Sequence, residues 1–347
     1  MGIERTLLAP GHEISRLIRG GWQLAGDHGP VDLAGLNDGF LAFFDAGITT
    51  LDCADIYTGV EAMIGDFRRH LAQARGAEGL ARLKVHTKFV PDLDRLADLS
   101  FADVEAIIDR SRARLGMDRL DLVQFHWWDY GQGDPVAALH HLARLRDEGR
   151  IAHVAGTNFD GAHLASFAAA GVPLASIQVQ YSLLDRRPAG GFTATAAANG
   201  TGLICYGALA GGFLSSRWLG AADPANTLIN RSLIKYRLII EECGGWDAFQ
   251  ALLATIARIA AGHGVPLSAV AARWVLDQPG VAAIIIGARH AGHLADTQAI
   301  AHLALTTADH AAIAAALPPS PPGDVYALER DRTGRHGRIM KYGLNRA

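Results

Sequence analysis

Short runs rich in Val, Ile, Leu, Thr and aromatic residues alternate along this chain with longer segments whose apolar positions recur every three or four residues. The first pattern suits a strand buried in a sheet, and the second suits a helix that turns one stripe to a core. The strand-like runs are Leu17–Gly21, Thr49–Asp52, Leu83–Thr87, Asp121–Phe125, Ala152–Ala155, Ala175–Val179, Gly202–Tyr206 and Ala283–Ile286. Helical patterns lie between them at Leu33–Ala46, Val60–Ala74, Phe101–Leu115, Pro135–Gly149, Gly161–Ala170 and Trp246–Gly262. Several close on glycine, at Gly47, Gly116, Gly149 and Gly171, where a left-handed residue ends a helix at little cost. Neighbouring strand-like runs start roughly 30 residues apart, the span of one strand–helix–strand unit. The last interval is longer and holds an excursion, Leu209–Gly245, followed by two helical patterns.

Eight strands, each with a crossover helix, describe an α/β fold: a closed parallel (β/α)8 or TIM barrel. The expectation is one domain over residues 1–347, with a barrel core at about 15–310, an N-terminal β-hairpin and a long excursion after strand seven. The competing open, doubly wound sheet would carry GxGxxG after its first strand. No such motif occurs, and Gly207-Ala208-Leu209-Ala210-Gly211 has the wrong spacing. In a barrel the loops after the strands form the active face, so the excursion is a candidate functional element. The segment 318–347 begins Pro-rich and turns basic (Arg330, Arg332, Arg335, Arg338, Lys341, Arg346). Two readings stay open for it: a solvated tail draped over the barrel, or a tail that touches substrate or a partner subunit.

Composition narrows the function classes. Half of the residues are hydrophobic, enough for a sizeable core, and the net charge of −3 gives no concentrated basic surface for nucleic acid. Apolar stretches such as Val281–Ile286 fall far short of the roughly 20 residues a membrane span needs, so no membrane role is expected. Met1-Gly2-Ile3-Glu4-Arg5 lacks the apolar run of a signal peptide, which points to the cytoplasm. Cys53, Cys205 and Cys243 form no CxxC pair, and Cys53 and Cys205 read as small buried apolar residues. Among 15 histidines no HExxH or HxH spacing falls at a strand end, so no metal is expected and a metal-dependent hydrolase is disfavoured. His140, His141 and His163 sit on helical patterns and are expected to face solvent.

Polar residues at strand ends are the first candidates for chemistry in this fold. Three consecutive strands supply them: Thr50-Leu51-Asp52 runs on to Tyr57, Lys84-Val85-His86-Thr87-Lys88 follows, and then Leu122-Val123-Gln124-Phe125-His126. Alternation turns Leu51, Cys53, Val85, Thr87, Phe89, Val123 and Phe125 outward. Asp52, Lys88 and His126 then converge inside, with Tyr57 over them from a loop. A phenol's ordinary pKa near 10 is too high for easy proton exchange at neutral pH. A neighbouring ammonium should lower it, a histidine can do likewise or hold the substrate oxygen, and Asp52 should hold the lysine in place. Such a group is suited to donating a proton to a carbonyl oxygen while a hydride arrives alongside. Trp22, Trp127 and Trp128, with Phe89 near them, could form an aromatic substrate pocket for aldehydes, cyclic ketones or sugars.

The stretch Phe44–Tyr57, with its Asp52…Tyr57 pair, resembles a signature of the aldo-keto reductase family. Leu115–Asp129, containing His126, resembles the second, and Gly149–Phe159 is similar to the segment with the family's Ser/Thr-Asn pair. The likeness continues through Gln178–Leu184, Tyr206–Leu214 and Ile284–Arg289, covering roughly residues 15 to 310 in order. It implies a catalytic tetrad of Asp52, Tyr57, Lys88 and His126 and a nicotinamide cofactor, NADP(H) ahead of NAD(H). Thr157, Asn158 and Gln178 would bind the carboxamide and Tyr206 would stack on the ring. Gly21 and Trp22 would lie near the ribose, with Asp52 beside the cofactor. Gly207, Leu209 and Gly211 would fold over the pyrophosphate, and Gly287, Ala288, Arg289, His293 and Thr297 would meet the adenosine phosphate. Substrate would touch Trp22, Tyr57, His126 and Trp127. Two departures stand out: His293 and Thr297 replace the family's usual Arg or Gln and Asn, leaving Arg289 as the obvious cation for a 2′-phosphate; Cys53 stands where Thr or Ser is common. Small-molecule carbonyls, alcohols or sugars are the implied partners. Aldehyde reductases and aldose 1-dehydrogenases share the pattern, as do cofactor-loaded regulatory subunits with little turnover.

Overall fold

Eight parallel strands hydrogen-bond edge to edge and close on themselves in the computed structural model, which describes residues 2–25, 34–225 and 227–345. Leu33 of the first helical pattern, Met1 of the N-terminal motif and Arg346 of the basic tail lie outside the described residues. A two-stranded antiparallel hairpin, β1 (Arg5–Ala9) and β2 (His12–Ser15), precedes the barrel. The barrel strands are β3 (Leu17–Gly20), β4 (Thr50–Asp52), β5 (Lys84–Phe89), β6 (Leu120–Phe125), β7 (Ile151–Thr157), β8 (Ser176–Gln180), β9 (Gly202–Tyr206) and β10 (Val281–Gly287). They follow one another in chain order, and β10 pairs with β3 to complete the ring. Each expected strand is present, Gly202–Tyr206 with the expected ends and the others with ends displaced by at most two residues.

The helices wrapping the barrel begin and end where local chemistry directs. They are α1 (Leu36–Asp45), α2 (Val60–Arg82), α3 (Phe101–Leu115), α4 (Pro135–Asp147), α5 (Gly161–Ala169), α6 (Gly191–Ala198), α7 (Arg231–Glu242), α8 (Gly245–His263), α9 (Leu267–Leu276), α10 (Leu294–His302), α11 (Thr307–Ala316) and the short α12 (Ala327–Arg330). Ser100 and Asp103 form a reciprocal capping box at the start of α3, and Asp134 caps α4 ahead of Pro135. Gly116, at φ 61°, ends α3 in the left-handed region. Helix α2 outruns its expected end at Ala74 and bends where Gly76 leaves helical geometry. Residues 209–245 hold a helix, α7, that the pattern does not announce, and α6 (GFTATAAA) lacks the polar–apolar contrast that would reveal it.

Alternation along the strands sorts two cores. Ile18, Leu122, Ala155, Ile204 and Ala283 face inward and pack with Leu8 and Ile14 of the hairpin, which plugs the end where the strands begin. Leu51, Cys53, Val85, Phe89, Val123 and Phe125 face outward into the helical layer, as expected. Among the described residues no single helix is long and apolar enough to cross a membrane.

Candidate active site

Lys88 is the hub at the end where the strands finish. Its Nζ lies 2.7 Å from Asp52 Oδ1 and donates to the Cys53 carbonyl at 2.8 Å, with both charged side chains about nineteen-twentieths buried. The Tyr57 ring centroid is 5.1 Å from that ammonium, and the Trp22 ring tilts against Tyr57 at 4.9 Å. The second carboxylate oxygen of Asp52 accepts from Gln124 Nε2 at 2.7 Å and from Gln178 Nε2 at 2.8 Å. Burial opposes the charge on Lys88, but Asp52, helped by the Tyr57 hydroxyl, outweighs it and raises the lysine pKa.

Tyr57 departs from the expectation that Lys88 lowers its pKa below the ordinary value. Burial raises it, the Lys88 ammonium draws it back, and the balance stays above the ordinary phenol value. Desolvating a phenolate outweighs one ammonium whose charge Asp52 already offsets. At neutral pH the hydroxyl therefore holds its proton, the form a proton donor requires.

His126 lies 97% buried, and burial pulls its pKa down to about 3, so its ring is neutral. Its Nδ1 is 3.2 Å from the Thr157 carbonyl oxygen. A carbonyl only accepts, so Nδ1 carries the ring proton and Nε2 presents a lone pair. Nε2 is buried without a partner, an orphan that a bound molecule can satisfy. Trp128 stands edge-on to this ring at 4.3 Å, and Tyr326 of the C-terminal segment at 5.6 Å.

The residues expected around a carboxamide gather beside this cluster. Asn158 holds a left-handed backbone (φ 64°), and its Oδ1 accepts from the Tyr206 hydroxyl at 2.9 Å, leaving its amide N–H groups to donate. Gln178 commits its amide nitrogen to Asp52 and to Gln124 Oε1 (2.6 Å), leaving its carbonyl oxygen to accept. One donor and one acceptor are the complement of a primary carboxamide, so the residues fit a nicotinamide. The Gly21 amide donates to the Asp52 carbonyl at 2.7 Å, and Trp22 Nε1 donates to Ser232 Oγ of α7 at 3.0 Å.

The remaining expected residues follow the same rim. Gly207 has φ 72°, and a Cβ there would sit 2.4 Å from the Tyr236 hydroxyl, so only glycine fits. Gly211 packs against the same ring, and Leu209 accepts from Gly212 and Leu214 in the turn between. Gly287 abuts the Gln23 side chain, and the Ala288 carbonyl accepts from buried Arg19 at 3.2 Å. Arg289 is half-buried, His293 stacks on His290 at 4.4 Å, and buried Thr297 donates to the His293 carbonyl at 2.8 Å.

Some expected residues sit elsewhere. Trp127 is buried on the outer side, edge-on to Phe125 at 5.7 Å with Nε1 on the Gln132 carbonyl, and Phe89 stacks on Phe125 in the same layer. Trp128, one position on, is the tryptophan brought to His126; alternation carried past His126 identifies it. Of the helix histidines His140 is exposed, His141 packs against Phe101, and His163 stacks on Tyr130 at 3.5 Å. The tail is no solvated strap: Val325, Tyr326 and Glu329 are buried. Arg330 donates to the Asn158 carbonyl and the Tyr130 hydroxyl, each at 2.7 Å, and Arg187 pairs with Glu329 at 3.0 Å. Gln124, Tyr326 and Arg330 are site residues that reading the sequence missed; Gln124 carried a signal, as an inward polar residue between Leu122 and His126. Among the described residues no group of three or more His, Cys, Asp or Glu is placed to hold a metal ion.

Comparison with known proteins adds a family and a fold. The family model "Aldo/keto reductase family" matches residues 16–318. The chain is 32% identical to flagellar radial spoke protein 5 of Chlamydomonas reinhardtii over 65% of its own length and 49% of that protein, so it spans about half of that relative. It is 26% identical to the aldo-keto reductase YhdN of Bacillus subtilis, over 84% of this chain and 87% of that one. A solved glycerol dehydrogenase from Gluconobacter oxydans superposes with a TM-score of 0.73 at 23% identity, covering 88% of this chain and 92% of the other, a likeness of fold.

Proposed function

The chain belongs to the aldo/keto reductase family, and from that premise we propose that it is an NADP(H)-dependent oxidoreductase, with NAD(H) as the alternative cofactor, that interconverts a small-molecule carbonyl and an alcohol. Tyr57 is the proton donor in reduction and the acceptor in oxidation. The observation that carries this reading is the buried Lys88–Asp52 pair lying beneath the Tyr57 ring, which stabilises the phenolate left once the proton has gone. Asn158 and Gln178 would hold the carboxamide, Tyr206 the ring, and Arg289 the 2′-phosphate; when bound, the cofactor supplies or receives the hydride. Trp128 and Trp22 shape the space over Tyr57 and His126. The three free, buried cysteines support a reducing cytoplasm.

Because the Tyr57 pKa is raised, reduction, which needs the hydroxyl, persists into alkaline pH. Oxidation, which needs the phenolate, grows as pH climbs toward that pKa. A second reading, oxidation of an aldose at its anomeric carbon, draws on one observation: His126 Nε2 offers a lone pair, which suits a hydroxyl next to the reacting carbon. Titration of tryptophan fluorescence with NADP and NAD, followed by turnover on aromatic aldehydes and on aldoses, tests both readings. NADPH consumption with nitrobenzaldehyde supports the first, and a higher kcat/KM for aldoses than for simple aldehydes supports the second. Tight cofactor binding with no turnover on either panel would replace both with a regulatory subunit. Arg289→Ala should weaken NADP about tenfold and leave NAD within twofold if its charge meets the phosphate.

A further inference from the structure

Gln124 lies on β6 two residues before His126 and is fully buried inside the barrel. Its side chain joins two groups that the proposed reaction uses for different purposes. Its Nε2 donates to Asp52 Oδ2 at 2.7 Å, and its Oε1 accepts from Gln178 Nε2 at 2.6 Å, while Gln178 also donates to Asp52 Oδ2 at 2.8 Å. The orientation of all three is determined: a carboxylate only accepts, so both amides turn their nitrogens to it, and the remaining Gln178 proton finds the Gln124 oxygen. Asp52 Oδ1 meanwhile faces Lys88 at 2.7 Å. One continuous chain of bonds thus runs from the free carbonyl oxygen of Gln178 through Gln124 and Asp52 to Lys88 beneath Tyr57.

We propose that Gln124 is a positioning residue that fixes Asp52 against Lys88 and Gln178 against the carboxamide, so that the cofactor pocket and the Tyr57 proton donor are set by one hydrogen-bonded joint. The inference rests on the oxidoreductase reading. Gln124 touches neither substrate nor cofactor and acts through its two neighbours. Removing it leaves Asp52 Oδ2 with a single side-chain donor and Gln178 with an unpaired buried N–H, freeing both side chains to turn.

Two variants test this. Gln124→Leu should lower kcat about 10- to 100-fold at every pH, leave KM for the carbonyl within twofold, and weaken NADPH about tenfold by fluorescence titration. Gln124→Glu keeps the shape and, when protonated, both bonds, so its kcat at acid pH should approach that of the unmodified protein. As pH rises its ionisation beside Asp52 breaks the joint, because two adjacent carboxylates resist sharing a site, and a new falling limb should enter the kcat profile. A Gln124→Leu protein with unchanged kcat and cofactor affinity would overturn the proposal. So would a Gln124→Glu profile parallel to the unmodified one throughout, whatever the loss in the leucine variant. Failure of the underlying reading has its own signature: Tyr57→Phe would retain turnover. The cofactor affinity of Gln124→Leu remains informative in that case, since it involves no catalysis.

Discussion

His86 and Lys88 sit two residues apart on the inward face of β5, and the barrel treats them in opposite ways. At the level of His86, toward the floor, His12 Nε2 lies 2.9 Å from His86 Nε2, with the His153 ring 5.0 Å from His12. Burial first, then His86, His153 and Lys84, pull His12 down to about 2; burial and Lys88 foremost pull His86 to about 3. All that floor can share is one proton between two neutral rings. One level up, Lys88 is as deeply buried yet charged, because Asp52 meets it at 2.7 Å and two amides satisfy the other carboxylate oxygen. Burial alone empties a titratable group of charge; burial with a hydrogen-bonded counter-ion keeps it. The same interior thus builds an uncharged floor and a charged mouth, and the proposed proton transfer relies on the second.

Asp52→Asn breaks the contrast most severely. It strands the Lys88 ammonium in the site and should cost about 3–5 kcal/mol of stability at neutral pH, read by denaturant unfolding, with kcat reduced at least as much as the stability loss suggests. Trp127→Ala should cost about 3–5 kcal/mol through the cavity it leaves in the outer layer, with KM unchanged. Trp128→Ala, next to His126, should raise KM about tenfold, and equal effects of the two on KM would erase the distinction between layers. At the floor, the sign follows from the depressed pKa values. Below pH 6.5 the unfolded histidines take protons that the folded ones refuse, so stability falls as pH falls toward 3. Each of His12 and His86 should cost about 2 kcal/mol at pH 5. A His12→Phe/His86→Phe variant should make urea-measured stability fall less steeply between pH 6.5 and 5, with the likewise depressed His126 still contributing, whereas an unchanged slope would mean that these rings are charged in the fold.

Much of this is legible in the sequence. Inward placement of Asp52, Lys88 and His126 follows from alternation alone, since their outward neighbours are apolar apart from Thr87, which turns to Glu61 of the helical layer. The strand ends shifted by a residue or two because pairing, not propensity, ends a strand. Other features required three dimensions. The fully buried Gln124 reads as one polar letter in an apolar run, and only the closing of the ring brings Gln178 within 2.6 Å of it. Arg330 and Tyr326 lie outside the repeating strand–helix pattern, so nothing periodic placed them over Asn158 and His126. The direction of the Tyr57 shift also escaped the sequence, because it depends on how dry the pocket is as much as on which charge is adjacent.

The central claim is that a phenol seated over a buried ammonium hands its proton to a substrate oxygen. Its most direct test is single-turnover reduction of an aldehyde by Tyr57→Phe preloaded with NADPH. The rate should fall by roughly 10²–10⁴-fold while NADPH affinity and thermal stability stay within twofold and a few degrees of the unmodified protein. An undiminished rate in that variant would place the proton donor elsewhere and contradict the account.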